Sequence, residues 1–141
     1  LWVVTGVQTC ALPICRISNN EIAAKLSISE GTVRNRIRKL TENNYLKVKG
    51  LVNPNRITEK QVIFLGAKVA VSKDLEKTAE AVAQLEHVNS TSIVTGRYDL
   101  IIEVFLEPYA VITFLCNDLA KLDSIVSTET FMTLRNYDKW I

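Results

Sequence analysis

The chain has 141 residues, 48% of them hydrophobic and 23% charged, which is too apolar for a disordered polypeptide and long enough for at least one substantial core. Gly66, Lys68, Glu103 and Glu107 interrupt the most hydrophobic stretches before any reaches the ~20 apolar residues of a membrane helix, so a soluble chain with no membrane partner is expected. The formal charge of +2 is unevenly divided: Lys and Arg outnumber Asp and Glu ten to four over residues 16–60, a balance of +6, and are outnumbered seven to eleven over residues 61–141, a balance of −4. A basic N-terminal part gains affinity for phosphates by counterion release, whereas the acidic remainder is repelled by nucleic acid and must do something else.

Residues 4–14 make a poor helix, because Gly6, Pro13 and the β-branched residues oppose one. Residues 4–14, VTGVQTCALPI, match the conceptual translation of a common sequencing-library adaptor. Residues 1–14 are therefore expected to be non-native, with an N-terminally truncated native sequence starting near Cys15 or Arg16. A signal peptide would need a basic n-region and a longer apolar run. Cys10, Cys15 and Cys116 are too few and too poorly spaced for a disulfide framework or a zinc site, so neither a metal nor a cofactor is expected, and a reducing cytoplasm suits the chain.

Residues 15–46 read as a partial helix-turn-helix. Ser18 and Glu21 form a capping box ahead of Ile22, Ala23 and Leu26, which recur at helical spacing. Ser27-Ile28-Ser29 supplies a tight turn, and Ser29 can cap a second helix with Val33, Ile37 and Leu40 on its apolar face. The other face carries Gly31, Arg34, Asn35 and Arg38, flanked by Arg36 and Lys39, which is the chemistry of a major-groove reader of double-stranded DNA. Arg34, Asn35 and Arg38 are expected at base edges, and Ser29, Thr32, Arg36 and Lys39 at phosphates.

Asn43-Asn44 ends the second helix, since Asn tolerates a left-handed C-cap. Residues 47–61 read as a strand linker: residues 45–52, YLKVKGLV, alternate as a short strand that Asn53-Pro54-Asn55 breaks. Lys47 and Lys49 either touch phosphate as a wing does or form a solvated strand face.

Residues 62–134 follow the order strand, helix, strand, strand, helix, strand. The strands are expected at 62–71, 88–95, 98–106 and 125–134. The first helix, 74–85, presents Leu75, Ala79, Val82 and Leu85 to a core; the second starts near Pro108 and presents Ile112, Leu115, Leu119 and Leu122, with Cys116 as a small buried hydrophobe. This is a ferredoxin-like βαββαβ pattern, so the fold class is α+β: a partial, winged-helix-like helix-turn-helix followed by a ferredoxin-like domain. Helices cover one face of such a sheet, and a second subunit is the usual cover for the other. Residues 135–141 form a tail whose Tyr137 and Trp140 can anchor it to the domain or to a partner.

The strings RISNNEIAAKLSISEGTVRNRIRKL, NNYLKVKGLVNP and VTGRYDLIIEV, in this order and separation, resemble the Lrp/AsnC, or feast/famine, family of transcription regulators over residues 16–140. Gly96 and Asp99 match that family's Gly-x-x-Asp loop, which also takes in Arg97 and Tyr98. The resemblance implies an effector-binding and oligomerisation domain (a RAM domain) that forms homodimers and higher homo-oligomers, with an amino acid as the small-molecule effector. Gly96 permits a turn closed to other residues, and Asp99 either accepts from a ligand ammonium or stabilises a plain hairpin. The resemblance also implies effector contacts on the last strand, where Ser127, Thr128 and Thr130 offer hydroxyls, although sheet decoration would place the same residues there.

Two other readings stay open. Siroheme decarboxylases resemble the same layout, but that chemistry calls for cationic groups and usually a histidine near the tetrapyrrole, and His87 is the one histidine of the chain. No Ser-His-Asp set, Gly-rich phosphate loop or paired-carboxylate motif is evident, so no catalytic residue is assigned. The second reading is an effector-binding or assembly module without functional DNA binding.

Overall fold

A computed structural model describes residues 17–141; the 4–14 match, Cys10, Cys15 and Arg16 lie outside the described residues. The chain divides into two compact units between Gly50 and Leu51.

In the first unit, α1 (Asn19–Leu26) and α2 (Glu30–Glu42) are each fixed at their start by local hydrogen bonds. The Glu21 N–H donates to Ser18 Oγ at 3.2 Å and the Ser18 N–H donates to the Glu21 carboxylate at 2.8 Å, a reciprocal capping box. Ser27, at φ 53°, ends α1 in the left-handed region, and the Ile28 N–H closes on the Ala23 carbonyl. The Ser29 hydroxyl then accepts from the Thr32 N–H at 3.2 Å and starts α2. Ile22, Ala23 and Val33 are buried together, with Ile17, Leu26, Ile28 and Ile37 packed around them. At the end of α2 the left-handed residue is Asn44, at φ 58°, while the Asn43 side chain donates back to the Lys39 carbonyl.

The second unit holds an antiparallel sheet of β1 (Gln61–Val69), β2 (Val88–Ile93), β3 (Leu100–Leu106) and β4 (Ile125–Met132) in the order β2-β3-β1-β4. With α3 (Leu75–Ala83) between β1 and β2, and a second helical segment between β3 and β4, this is the ferredoxin-like arrangement. Alternation along the pleat sends Ile63, Leu65 and Ala67 of β1 and Leu100, Ile102, Val104 and Leu106 of β3 into one core with Val82, Val111, Phe114 and Leu119. The opposite face carries Phe64, Gly66 and Lys68 of β1 opposite Glu103 and Ile101 of β3 and Phe131, Glu129 and Ser127 of β4.

Four local expectations are corrected. Residues 45–52 form no strand: the Tyr45 and Leu46 N–H groups turn back to the Leu40 carbonyl at the end of α2, and the mutual pairing of Val52 with Ile141, at 2.8 and 3.1 Å, is too little for a ladder. β2 and β3 stop at Ile93 and Leu100, since the six residues between them turn through Gly96 rather than extend the hairpin. The second helical segment runs from α4 (Ala110–Thr113) into a π-helical stretch, Phe114–Asp118, and a 3₁₀ turn, Leu119–Lys121. Leu115, Leu119 and Leu122 face the core as expected, but Val111 and Phe114 take the other buried positions, leaving Ile112 71% exposed and Cys116 on the surface instead of in the core.

The tail crosses the open face. The Thr133 side chain and N–H both donate to the Val62 carbonyl, and Asn55 and Asn136 exchange two hydrogen bonds, at 2.7 and 3.1 Å. Lys139 Nζ lies 2.6 Å from the buried Glu103 carboxylate and 5.9 Å from the Phe64 ring centroid. The tail's anchors are thus Asn136 and Lys139, while Tyr137 is exposed under the Arg135 guanidinium. Among the described residues no helix is long and apolar enough to cross a membrane.

Candidate functional site

The basic face of the first unit is built on α2. Residues 34, 35, 38 and 39 fall on one side of a helix turning every 3.6 residues, and Arg34, Asn35, Arg38 and Lys39 are all exposed. Arg36 and Thr32 are partly covered at its margin. Arg34 is held by Glu30 one turn back, at 2.6 and 2.8 Å, and Arg38 lies 3.8 Å from Glu42 one turn on. These ion pairs are solvent-exposed and weak, so both guanidiniums can leave their glutamates for a stronger partner. The Arg34 hydrogen bond holds the Glu30 carboxyl below its ordinary pKa, and the backbone and side-chain hydrogen bonds of Ser18 do the same for Glu21. Ser29 is already engaged, its oxygen capping Thr32 N–H and lying 2.8 Å from Thr32 Oγ1.

In the second unit, the loop between β2 and β3 folds onto the open face of the sheet. Gly96, at φ +122°, occupies a conformation that an L side chain rarely adopts. Asp99 is woven into the end of the two central strands: its N–H donates to the Ala67 carbonyl at 2.9 Å, its carbonyl accepts from Val94, and its carboxylate Oδ2 accepts the Val69 N–H at 2.9 Å. Between them the Tyr98 ring covers Gly66, so closely that a Cβ on residue 66 would fall 2.7 Å from ring carbons. Phe131 meets that ring edge-on at 6.0 Å, the Tyr98 hydroxyl donates to the Glu129 carboxylate, and Arg97 lies 3.4 Å from Glu129 and 5.5 Å from the Tyr98 centroid.

The pleat divides the three hydroxyl residues of β4. Ser127 pairs opposite Lys68 on the open face, whereas Thr128 and Thr130 pair opposite Ala67 and Leu65 on the helix-covered face. Ser127 and Thr128 also line a small cleft of about 150 Å³ with Leu115 and Leu119. The loop therefore meets β4 through Phe131 and, in its polar contacts, through Glu129, which sequence reasoning did not single out. Its signal was faint: in the alternation of β4 it falls opposite Gly66, the position left bare for Tyr98. His87 sits apart, exposed, at φ 68° before β2. Among the described residues no cluster of His, Cys, Asp or Glu is placed to hold a metal ion.

Comparison with known proteins gives the same two-part division. Residues 15–47 match a family model described as winged helix-turn-helix DNA-binding, and residues 62–139 match the Lrp/AsnC ligand binding domain. An uncharacterised helix-turn-helix-type transcriptional regulator of Pyrococcus furiosus is 33% identical over 89% of this chain and 84% of its own length. The structure of Escherichia coli AsnC is similar with a TM-score of 0.68 at 24% identity, covering 95% of this chain and 91% of that one. The transcriptional regulator NMB0573 of Neisseria meningitidis, solved as a complex with L-Met, has a TM-score of 0.71 at 16% identity over 96% of this chain and 90% of its own.

Proposed function

Because the chain belongs to the Lrp/AsnC family of transcriptional regulators, joining a helix-turn-helix DNA-binding unit to a small-molecule ligand-binding unit, we propose that α2 reads duplex DNA under the control of an amino acid bound at the second unit. The observation that carries the DNA half is the exposed row of Arg34, Asn35, Arg38 and Lys39 on a helix capped at both ends. Arg34, Asn35 and Arg38 reach base edges; Ser29, Thr32, Arg36 and Lys39 set the helix on the phosphates.

The effector half rests on the loop of Gly96, Arg97, Tyr98 and Asp99, held against β4, and on the ligand-bound relative from Neisseria meningitidis. An amino acid brings both an ammonium and a carboxylate; the carboxylates of Asp99 and Glu129 complement the first, and Arg97, which a ligand carboxylate would draw from Glu129, complements the second. On β4, Ser127 supplies a hydroxyl on the face that carries the loop, and Thr128 and Thr130 supply theirs from the other face of the strand. The chain acts as a homodimer, and in higher homo-oligomers, through the open sheet face, where Phe131 is exposed beside the loop. A two-fold dimer would set two α2 helices on half-sites one helical turn, or a multiple, apart. Such a protein works in the cytoplasm beside its operators.

Selection of bound duplexes from a random pool by the purified chain tests the reading. Wild type should enrich a pseudo-palindrome and Arg38→Ala should relax preference at one position per half-site by roughly 1–3 kcal/mol. Unchanged site selection by both Arg34→Ala and Arg38→Ala would remove α2 as the reader.

A further inference from the structure

A second recess in the second unit has no part in this reading. It is a cleft of about 370 Å³ bounded by the Pro54–Arg56 turn, the first residues of β1 and the chain that leaves β4. Its polar lining is Asn55, Thr58, Lys60, Gln61, Arg135 and Asn136, with Thr133 already spent on the Val62 carbonyl, and no Asp or Glu contributes to it. Residues 51–141, the whole second unit, carry nine cationic side chains against twelve acidic ones, so a recess with two cations and no acid departs from its surroundings. Among the described residues neither Lys60 nor Arg135 forms an ion pair, although Lys139 nearby in sequence does. One wall is rigid, because Asn55 and Asn136 spend their hydrogen bonds on each other.

From this we infer a binding site for a small dianionic oxyanion, a dicarboxylate or a phosphate-bearing metabolite, distinct from the loop at Gly96. Arg135 offers a planar fork that matches two oxygens of one carboxylate or phosphate, Lys60 a compact charge for the second, and Thr58 and Gln61 neutral donors. The volume is that of a small-molecule site, and the polar lining favours a charged occupant. A concave recess on the acidic unit fits a compact ion and disfavours a DNA backbone, which that unit repels. Bridging Lys60 to Arg135, the ligand ties the entry of β1 to the tail and reinforces the Asn55–Asn136 clamp.

The test is titration of the full chain with succinate and, separately, inorganic phosphate at constant ionic strength set with sodium chloride, read by amide NMR. Saturable shifts at Thr58, Gln61 and Asn136 are expected, with the Gly96–Asp99 amides unmoved. Lys60→Gln and Arg135→Gln should each weaken binding roughly tenfold, the loss of one charge-assisted hydrogen bond, and Arg135→Lys should weaken it less. Saturation by one probe alone identifies carboxylate or phosphate as the group recognised. Saturation by neither, equal shifts with sodium chloride, or shifts only with a DNA duplex overturns the site. Asp99→Asn, which tests the loop, should leave this titration unchanged, so the two sites fail independently.

Discussion

Gly66→Ala is a one-carbon perturbation of the open face. A Cβ there would lie 2.7 to 2.8 Å from three carbons of the Tyr98 ring, about 1 Å inside an ordinary carbon–carbon contact. Residue 66 cannot retreat, because β1 is paired on both sides, to Ile101 of β3 and to Glu129 of β4. The ring must therefore be compressed, at about 1–3 kcal/mol for overpacking, or swing away. Swinging away forfeits the edge contact with Phe131, about 0.5–1.5 kcal/mol, and the hydroxyl bond to the half-exposed Glu129, about 1 kcal/mol. Either route costs the second unit about 1–3 kcal/mol, a fall of roughly 4–24 °C in its melting temperature. Urea unfolding read from β1 amide signals isolates this unit from the first. In the double variant with Tyr98→Ala the clash is gone, so the two changes should couple favourably and recover part of the loss. A single variant within about 0.5 kcal/mol of the parent, or a strictly additive pair, would refute the seating of Tyr98 over β1.

Other consequences follow from the same geometry. Asp99→Asn keeps an acceptor for the Val69 N–H but removes the charge, so the fold should hold while amino-acid affinity, read by calorimetry, falls about tenfold or more; unchanged affinity would leave Asp99 a purely structural residue. Because the Glu21 and Glu30 carboxyls sit below their ordinary value of 4.5 in the folded chain, their contribution is present above that pH and lost as pH falls below it. Helix content of the first unit should drop in that acid range, and Glu21→Gln should reduce the drop; an identical profile would discount the capping box. Phe114→Ala should cost about 3–5 kcal/mol in urea unfolding and Ile112→Ala under about 0.5 kcal/mol, the reverse of what the sequence periodicity implies.

How much was legible follows from the range of the interactions. The caps at Ser18 and Ser29 are closed by partners three residues away, so a short window of sequence contains the whole cause. The βαββαβ order was legible too, because each element carries its own period. In the helical segment after β3, Leu115, Leu119 and Leu122 do face the core, but a regular 3.6-residue period run back from them picks Ile112 where Val111 and Phe114 are buried, because the π-helical stretch Phe114–Asp118 breaks that period. Residues 45–52 alternate like a strand, yet a strand also needs a neighbour, and alternation does not report one. At the candidate effector site Gly96 and Asp99 were visible in the loop itself. Glu129 and Gly66 were not, since their link to Tyr98 depends on strand register across more than 30 residues.

The central claim is that the two units form one regulator, in which an amino acid at the second unit alters duplex binding by α2. Fluorescence anisotropy of the full chain on its selected duplex, with and without each amino acid at fixed salt, measures this directly. The expected result is a duplex affinity that shifts with one or a few amino acids, is weakened by Arg38→Ala, and under Asp99→Asn keeps its value but loses the shift. A duplex affinity indifferent to every amino acid, or one that Arg38→Ala leaves unchanged, would contradict it.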